Sequence, residues 1–367
     1  MEQRGVIIIG AGVAGSCLAK LLQKQGIDAL VIEKSKDVLV KDSGLVSTRL
    51  FNFFDGNVAR HFIKDEIRRM CFVSPEKNTT TLETDEPFAL ILKRRQFEES
   101  LRKNLDIIYE KPWKIDYFND HCHVWTDKND YECKMVVGCD GCHSFVRKQA
   151  GLPDLKCVHG VIARTEKSEP TDVTVFLNKN YSQDGFAWHI PQNNEYGLLA
   201  ENNIDVGLSA LKQDMLGDQD VQIQAAPIPI GFAKSFAHRT LLVGDAASQT
   251  KPLTGGGIIF SMTCAKHARD AICSFLEKNS LDCLGDYERN WRNDIGTMIK
   301  QQLFFRKVYS RMGNKTMEKL FNTFKSDIES FRHVDYDNLL EQRKNLSRTK
   351  LVSASLRMPV VIMRAIL

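Results

Sequence analysis

The chain has 367 residues, of which 43% are hydrophobic and 26% are charged, and its net charge is +4. These proportions are ordinary for a soluble globular protein, and the length allows two domains or one large domain with an inserted lobe. So small a net charge gives no reason to expect a nucleic-acid partner. The ten cysteines lack framework spacing and no signal peptide precedes the first strand, so we expect a cytoplasmic protein.

A glycine-rich turn follows the first apolar segment. The β-branched run Val6–Ile9 is typical of a buried parallel strand, and the Ala/Leu-rich residues after Gly15 favour a helix. The turn between them, Gly10-Ala11-Gly12-Val13-Ala14-Gly15, permits close approach of backbone to a pyrophosphate at a helix N-terminus. A second apolar run ends at Glu33, whose carboxylate would accept a hydrogen bond from a ribose hydroxyl. Together these features predict a dinucleotide site.

Two later strand ends carry similar turns. One apolar run ends in Asp140-Gly141, where a sharp turn brings a carboxylate near the nucleotide. Another ends in Gly244-Asp245, and the glycines 255–257 then begin a helix whose backbone N–H groups can contact a ligand. Three such turns fit one extended ligand, and this predicts FAD rather than NAD. No second G-x-G-x-x-G is present, so no separate nicotinamide-binding domain is expected.

Other polar segments leave alternatives open. The loop 41–47 could line a cofactor ring or be an ordinary connection, and Arg94 could bridge the cofactor or cap a helix in solvent. The pair His121 and His123 has no further ligand at suitable spacing, and the Asp-Gly inside Cys139-x-x-Cys142 belongs to the turn. We therefore expect no metal site.

A β-rich region interrupts the α/β pattern. Residues 66–92 and 157–230 contain short strand-like segments with turn residues between them. Phe186, Trp188 and Ile190 alternate onto one face, which is either a core-facing strand or the floor of an apolar pocket. No apolar run approaches the roughly 20 residues that a membrane-spanning helix needs.

The predicted fold is α/β: a Rossmann-like FAD-binding domain with an inserted antiparallel β-sheet substrate lobe and a C-terminal helical region. The FAD-binding domain is discontinuous, over residues 1–65, 93–150 and 232–276. The lobe comprises residues 66–92 and 151–231, and the helical region 277–367.

The C-terminal segment is basic. No acid follows Glu341, while six basic residues alternate with apolar ones, namely Arg343, Lys344, Arg348, Lys350, Arg357 and Arg364. Such a segment could lie on the cytoplasmic face of an anionic membrane, as a peripheral contact. It could equally be a final helix docked on the body with a solvated basic face.

The three cofactor motifs together resemble the flavoprotein superfamily of aromatic hydroxylases and their relatives. Within it, Pro252-Leu-Thr-Gly-Gly-Gly-Ile258 and Phe186-x-Trp188-x-Ile190-Pro191 resemble the geranylgeranyl reductase family. That family saturates double bonds of isoprenoid chains, including chains on archaeal ether lipids. The resemblance covers roughly residues 1 to 300.

The motifs and the resemblance imply two sets of site residues. The residues expected to bind FAD are Gly10, Gly12, Ala14, Gly15, Glu33, Lys34, Asp42, Gly44, Arg94, Asp140, Asp245, Pro252, Gly256, Gly257 and Ile258. The residues expected to bind the prenyl chain are Phe186, Trp188 and Pro191.

The chain also departs from its relatives. Family members often have a cysteine in the loop that here reads Lys41-Asp42, which puts a thiol role in doubt. Hydroxylases usually have His where this chain has Ser248, and this favours the reductase branch. The Trp-x-Ile-Pro pattern is also similar to that of flavin-dependent halogenases, which are typically much longer.

The implied reaction moves a hydride from flavin N5 to one alkene carbon and a proton to the other. The proton donor is not identified, since His189, Tyr181 and water are all candidates, and the electron donor is NAD(P)H or ferredoxin. The competing functions are a flavin monooxygenase or halogenase acting on a small apolar or aromatic substrate, and a prenyl-binding escort protein without redox work.

Overall fold

The computed structural model describes residues 2–54, 56–166 and 171–338. The basic segment after Glu341, where membrane contact was expected, lies outside these ranges. In chain order, the strands are β1 (Glu2–Ile9), β2 (Ala29–Glu33), β3 (Leu45–Ser47), β4 (Ile63–Ile67), β5 (Arg69–Val73), β6 (Thr79–Glu83), β7 (Ala89–Leu92), β8 (Ile107–Tyr109), β9 (Pro112–Tyr117), β10 (Cys122–Thr126), β11 (Asp130–Gly138), β12 (Cys157–Arg164), β13 (Val173–Phe176), β14 (Ala187–Ile190), β15 (Glu195–Ala200), β16 (Gln222–Pro229), β17 (Phe236–Ala237) and β18 (Thr240–Leu242). The helices are α1 (Val13–Gln23), α2 (Gly56–Arg60), α3 (Arg94–Arg102), α4 (Phe145–Gln149), α5 (Ile204–Leu211), α6 (Ile258–Lys278), α7 (Asp282–Trp291), α8 (Thr297–Tyr309) and α9 (Asn314–Ser330).

A largely parallel sheet organises the first part of the fold. Its strand order is β17-β18-β11-β1-β2-β8, and β1 pairs in parallel with both β2 and β11. Ile9 lies opposite Ile32 on one side and Gly138 on the other, and Gly138 lies opposite Leu242. These strands therefore end at one edge, where open α/β sheets bind their ligands. The mixed α/β class predicted from the sequence is confirmed.

Glycines let α1 pack directly on this edge. Gly10 has φ +103°, and a Cβ there would lie 2.5 Å from the carbonyl oxygen of Cys139. A Cβ on Gly15 would lie 1.9 Å from the carbonyl oxygen of Gly10. Gly12 is different, because a Cβ there would meet nothing within 4 Å. Two of the three glycines are thus required by packing, and the third faces open space.

A second sheet of seven strands has the order β16-β12-β15-β14-β13-β5-β6. Its pairs are antiparallel except one, since β13 runs parallel to β5. That pair joins two segments about a hundred residues apart, so no hairpin dictates its direction. β7, placed with this sheet by the sequence, instead pairs with β3 and β4 in a separate three-stranded sheet. The proposed domain boundaries stay a prediction.

The helices after residue 258 cover one face of the parallel sheet. α6 packs against α1 and α7, and its buried side includes Phe260, Ala268 and Phe275. Tyr287 and Trp291 are fully buried, and the Tyr287 hydroxyl donates a 2.7 Å hydrogen bond to the Leu242 carbonyl. None of the helices in the described ranges is long and apolar enough to span a bilayer.

The cysteine motif is not paired within itself. Cys142 forms a disulfide with Cys157, which connects the turn after β11 to the start of β12, while Cys139 is a buried thiol. His123 pairs with Asp130 on the neighbouring strand at 3.0 Å. Within the residues that the structure describes, no group of His, Cys, Asp and Glu side chains could hold a metal ion.

The two kinds of glycine should respond differently to substitution. We expect Gly15→Ala to lower the free energy of unfolding of the flavin-free protein by about 3 kcal/mol, because its methyl group would overlap backbone that cannot move aside. Gly12→Ala should change the same quantity by less than about 1 kcal/mol. Urea unfolding of both variants checks this, and equal losses would contradict the packing explanation.

Candidate active site

One cavity of about 520 Å³ lies between the carboxyl edge of the parallel sheet and the seven-stranded sheet. At one end it borders the backbone of Gly12 and Ala14 and the side chains of Asp42, Arg94 and Asp245. At the other end its wall is apolar, and the residues there include Met70, Phe72, Leu82, Phe88, Val173, Val175, Leu177, Phe186, Trp188 and Ile190. The two ends are continuous, so a polar cofactor and an apolar molecule can meet inside it.

The loop 41–44 is held by an ion-pair network. Arg94 contacts both carboxylate oxygens of Asp42, through Nε at 2.7 Å and Nη2 at 2.8 Å, and the Gly44 amide donates to Asp42 Oδ1 at 2.8 Å. Burial by itself would raise the pKa of Asp42, but the Arg94 charge outweighs it and holds this pKa below its ordinary value. Arg94 also pairs with Glu98 at 2.6 Å. Asp42 thus orients an arginine.

Two arginines have unused donors that suit a dinucleotide. Nη1 of Arg94 and Nη1 of Arg102 are buried and have no hydrogen-bond partner among the described residues. Arg102 is fixed by a 2.9 Å bond from its Nε to the carbonyl of Ala11, inside the glycine turn. A buried unpaired donor costs roughly 1–3 kcal/mol, which an acceptor on a ligand would recover. Together with the open space beside Gly12, these orphaned groups fit FAD.

No pattern in the sequence points to Arg102. It lies in the last turn of α3, where a basic residue is normally explained by the helix dipole and solvent. Its contact with Ala11 joins residues 91 positions apart. Only the tertiary packing of α3 on α1 brings this arginine to the glycine turn, and it does not border the cavity itself.

Glu33 is hydrogen-bonded to the backbone of the glycine turn. One carboxylate oxygen accepts a 2.8 Å hydrogen bond from the Ala11 amide, and the other accepts from Ser35 at 3.1 Å. Lys34, also expected at the cofactor, is exposed and does not border the cavity. Gly10 and Gly15 likewise act through packing and lie behind the cavity wall.

Asp140 is used inside the protein. Its carboxylate accepts hydrogen bonds from the Ser144 hydroxyl at 2.5 Å and the Val146 amide at 3.0 Å, at the start of α4. Its neighbour Gly141, with φ +86°, borders the cavity in its place. The turn was predicted to bring a carboxylate to the nucleotide, but it is the glycine that lines the cavity.

Asp245 faces the cavity with a free carboxylate. No side chain or amide in the described part of the chain donates a hydrogen bond to it, and it lies beside Gly257 at the start of α6. Burial, reinforced by the negative charge of Asp42, raises the pKa of Asp245 to about 6. Such a carboxylate suits a hydroxyl donor, as on a ribityl chain. Gly256, Gly257 and Ile258 border the cavity next to it.

The expected prenyl-binding residues divide in a similar way. Phe186 and Trp188 line the apolar end, whereas Pro191 begins the turn after β14 and does not border the cavity. Pro252 is also outside the lining, and its carbonyl accepts from Arg306 at 3.3 Å. Leu253 and Thr254, which follow it, do line the cavity.

The two side chains considered as proton donors lie away from the cavity. His189 is fully buried and stacked on Tyr196 with ring centroids 4.2 Å apart, and burial lowers its pKa to about 4. Tyr181 donates a 2.7 Å hydrogen bond to Asp214. Neither side chain borders the cavity.

The last described segment, residues 331–338, closes one side of the cavity. Asp337 forms an ion pair with Lys251 at 2.9 Å, and it accepts a hydrogen bond from the Ser47 hydroxyl. The Lys251 ammonium also lies 4.4 Å from the ring centroid of Tyr336. Lys251, Tyr336 and Asp337 all border the cavity. The sequence offered no signal for these residues, since they pair across 86 positions.

The fold is a parallel sheet whose first strand ends in a glycine turn. Glu33 ends β2, and Gly244-Asp245 follows β18 at the same edge. This arrangement is that of an FAD-dependent flavoprotein. The FAD binding domain family matches residues 3–55. FAD is therefore confirmed as the cofactor, and the flavin redox class of the protein is supported.

Comparison with known proteins narrows the class. The chain is 26% identical over 376 residues to digeranylgeranylglycerophospholipid reductase 2 of Methanothermobacter thermautotrophicus, and the match covers 94% of this chain and 97% of that protein. It is 23% identical to the digeranylgeranylglycerophospholipid reductase of Methanocaldococcus jannaschii, over 86% of this chain and 89% of the relative.

Solved structures agree on the fold. A geranylgeranyl bacteriochlorophyll reductase-like protein from Thermoplasma acidophilum superposes with a TM-score of 0.83 at 18% identity, covering 99% of this chain and 100% of that one. The flavin-dependent halogenase CmlS gives a TM-score of 0.67 at 16% identity, over 97% of this chain and 78% of that one. With the curated relatives, these comparisons confirm the resemblance to geranylgeranyl reductases.

The buried, unpaired carboxylate of Asp245 should lower the stability of the flavin-free protein. Because burial raises its pKa above the ordinary value, the folded protein disfavours the ionised form, and this cost is present above about pH 6 and absent below about pH 4. We expect Asp245→Asn to raise the free energy of unfolding of the flavin-free protein by about 2 kcal/mol at neutral pH. The same variant should bind FAD more weakly.

Urea unfolding of the FAD-stripped protein across this pH range measures the effect. Asp218→Asn is the matched control, because Asp218 is an exposed carboxyl away from the cavity. A stabilisation by Asp245→Asn that is independent of pH would contradict the explanation.

Proposed function

We propose that this protein is an FAD-dependent reductase that saturates double bonds of geranylgeranyl or other polyprenyl chains, on membrane ether-lipid precursors. The observation that carries the proposal is the single continuous cavity. Polar side chains and glycine backbone that suit FAD line one part of it, and aliphatic and aromatic side chains line another part of the same cavity. The names of the curated relatives point the same way.

Bound FAD would supply the hydride that adds to one alkene carbon, and an external donor, NAD(P)H or ferredoxin, would restore its electrons. The residues of the cavity lining that would hold it are the backbone at Gly12, the guanidinium group of Arg94 and the carboxylate of Asp245. Arg102 lies outside this lining and would act from beside the glycine turn, where its Nε bonds the Ala11 carbonyl. Glu33 would keep the glycine turn in shape through its bond to Ala11, with a ribose hydroxyl as a further donor.

The apolar end would act mainly by positioning. An isolated alkene has no polar handle, so its orientation must come from the shape of the wall around it. Phe186 and Trp188 have ring centroids 5.8 Å apart and form a rigid aromatic part of that wall. Filling this space with a lipid chain would also exclude water from the reacting atoms.

We also propose a cytoplasmic location with peripheral membrane contact. The support is the basic, apolar segment after Glu341, whose composition suits an anionic lipid surface. A lipid substrate would need such proximity.

The decisive measurement is the mass of the product. The FAD-loaded, chemically reduced protein is incubated with geranylgeranyl lipids, and we expect a gain of two hydrogens per reduced double bond. A gain of oxygen or halogen would instead identify a monooxygenase or halogenase. A colourless purified protein that binds prenyl chains would identify an escort protein.

Loss of the cofactor should abolish the reaction. We expect Glu33→Ala and Asp245→Ala to weaken FAD binding by roughly tenfold or more and to lose activity in proportion. Asp245→Ala removes an acceptor that faces the cavity, and Glu33→Ala removes the carboxylate that holds the Ala11 amide of the glycine turn, because Glu33 does not border the cavity itself. Glu110→Gln is the control, since the buried carboxylate of Glu110 bonds Thr126, Asn129 and Tyr131 and does not border the cavity. A variant that is active without bound flavin would contradict the proposal.

A further inference from the structure

A buried glutamate connects the two ends of the cavity. Glu195, at the start of β15, is 1% exposed and does not border the cavity. Its Oε1 accepts a 3.0 Å hydrogen bond from Trp188 Nε1 and a second one from the Ser43 hydroxyl. Trp188 belongs to the apolar wall, and Ser43 belongs to the loop 41–44 at the cofactor end. Oε1 of Glu195 therefore bonds both the Trp188 indole and the Ser43 hydroxyl.

The strand pairing explains why the indole reaches Glu195. In the antiparallel pair β14–β15, Trp188 lies opposite Gly197 and Ile190 lies opposite Glu195. Glu195 and Gly197 are two residues apart and so share a face of the sheet. A Cβ on Gly197 would lie 2.3 Å from Trp188 Cζ2, so the indole lies flat across this glycine. The ring thus has one orientation, with its N–H directed to the diagonal neighbour Glu195.

The same sheet holds the loop at further points. Asn193 Nδ2 donates to the Ser43 carbonyl at 2.8 Å, and Gln224 Nε2 donates to the Val40 carbonyl at 2.9 Å. The loop in turn carries Asp42, which orients Arg94. Of the hydrogen bonds named here, only those of Glu195 also join the loop to the apolar wall of the cavity, through Trp188.

A packing role alone would not require a carboxylate here. Burying an ionisable group is costly, and an apolar side chain of similar size would fill the space more favourably. The second oxygen, Oε2, has no hydrogen bond from the described residues, and its charge partner Arg164 lies 3.6 Å away. The side chain is thus used chiefly as an acceptor for two donors.

We propose that Glu195 is a positioning residue that sets the flavin-side loop and Trp188 in a fixed relation, and so aligns a bound chain with the flavin. The proposal rests on the proposed function. Glu195 touches neither ligand and acts through Ser43 and Trp188. Its loss should therefore alter alignment more than binding.

The experiment compares Glu195→Leu, which removes the acceptor, with Glu195→Gln, which keeps an acceptor oxygen and removes the charge. Ser43→Ala and Trp188→Phe each remove one donor, and Glu110→Gln is the buried-glutamate control. Two readouts are taken on the FAD-loaded proteins: the visible circular dichroism of the bound flavin, which needs no substrate, and kcat and KM for a geranylgeranyl lipid.

We expect Glu195→Leu to change the flavin dichroism and lower kcat roughly tenfold to a hundredfold, with FAD affinity and KM within about threefold of the parent. Glu195→Gln should recover most of both signals, and Glu110→Gln should match the parent. Ser43→Ala and Trp188→Phe should each reproduce part of the defect. In the double variant that carries both of these changes, adding Glu195→Leu should alter the dichroism and kcat little further.

Parent-like dichroism and kcat in Glu195→Leu would overturn the proposal, as would an equal defect in Glu195→Gln. If Glu195→Leu does not fold, parent-like behaviour of both single-donor variants would overturn it. If the parent protein reduces no polyprenyl chain, the proposed function fails, while the dichroism still decides whether Glu195 positions the flavin-side loop.

Discussion

The contact between Gly15 of α1 and the backbone of Gly10 is the constraint on which the rest of the site depends. Because no side chain separates them, the N-terminus of α1 lies directly over the end of β1. A Cβ on Gly244 would lie 2.9 Å from the Cβ of Ala14 and from the Ser261 hydroxyl, so this glycine lets the end of β18 lie against both α1 and α6. Two helix N-termini therefore converge on one cavity, and both bring free N–H groups and positive dipoles to it.

The carboxylates that line the cavity are of two kinds, those paired with a cation and one that is not. Asp42 and Asp337 are neutralised by Arg94 and Lys251, and these pairs shape the walls. Asp245 has no such partner among the described residues, and burial disfavours its ionisation. A protein optimised for stability alone would replace it. A buried carboxylate without a partner in the protein is what one expects where a ligand completes the hydrogen bonding.

The sequence predicted the cofactor and the strand-end turns well, because each turn is specified by local chemistry, as at Gly12 and Gly257. Roles that depend on contacts far along the chain have no such local signal. The carboxylate of Asp140, expected at the nucleotide, accepts from the Val146 amide of α4, and Arg102 reaches the glycine turn only through its contact with Ala11. The parallel pairing of β5 with β13, and the contribution of Asp337, have no counterpart in any short pattern.

The position of Asp337 has a consequence for how the protein is made. Synthesis runs from the N-terminus, so the dinucleotide turn and Lys251 are both present before the segment 331–338 emerges. Until then Lys251 lacks the carboxylate that neutralises it, and the cavity lacks the wall formed by Tyr336 and Asp337. The nascent chain can build its first sheet early. The closed cavity, with every buried cation of this wall paired, can exist only after residue 337 has been added.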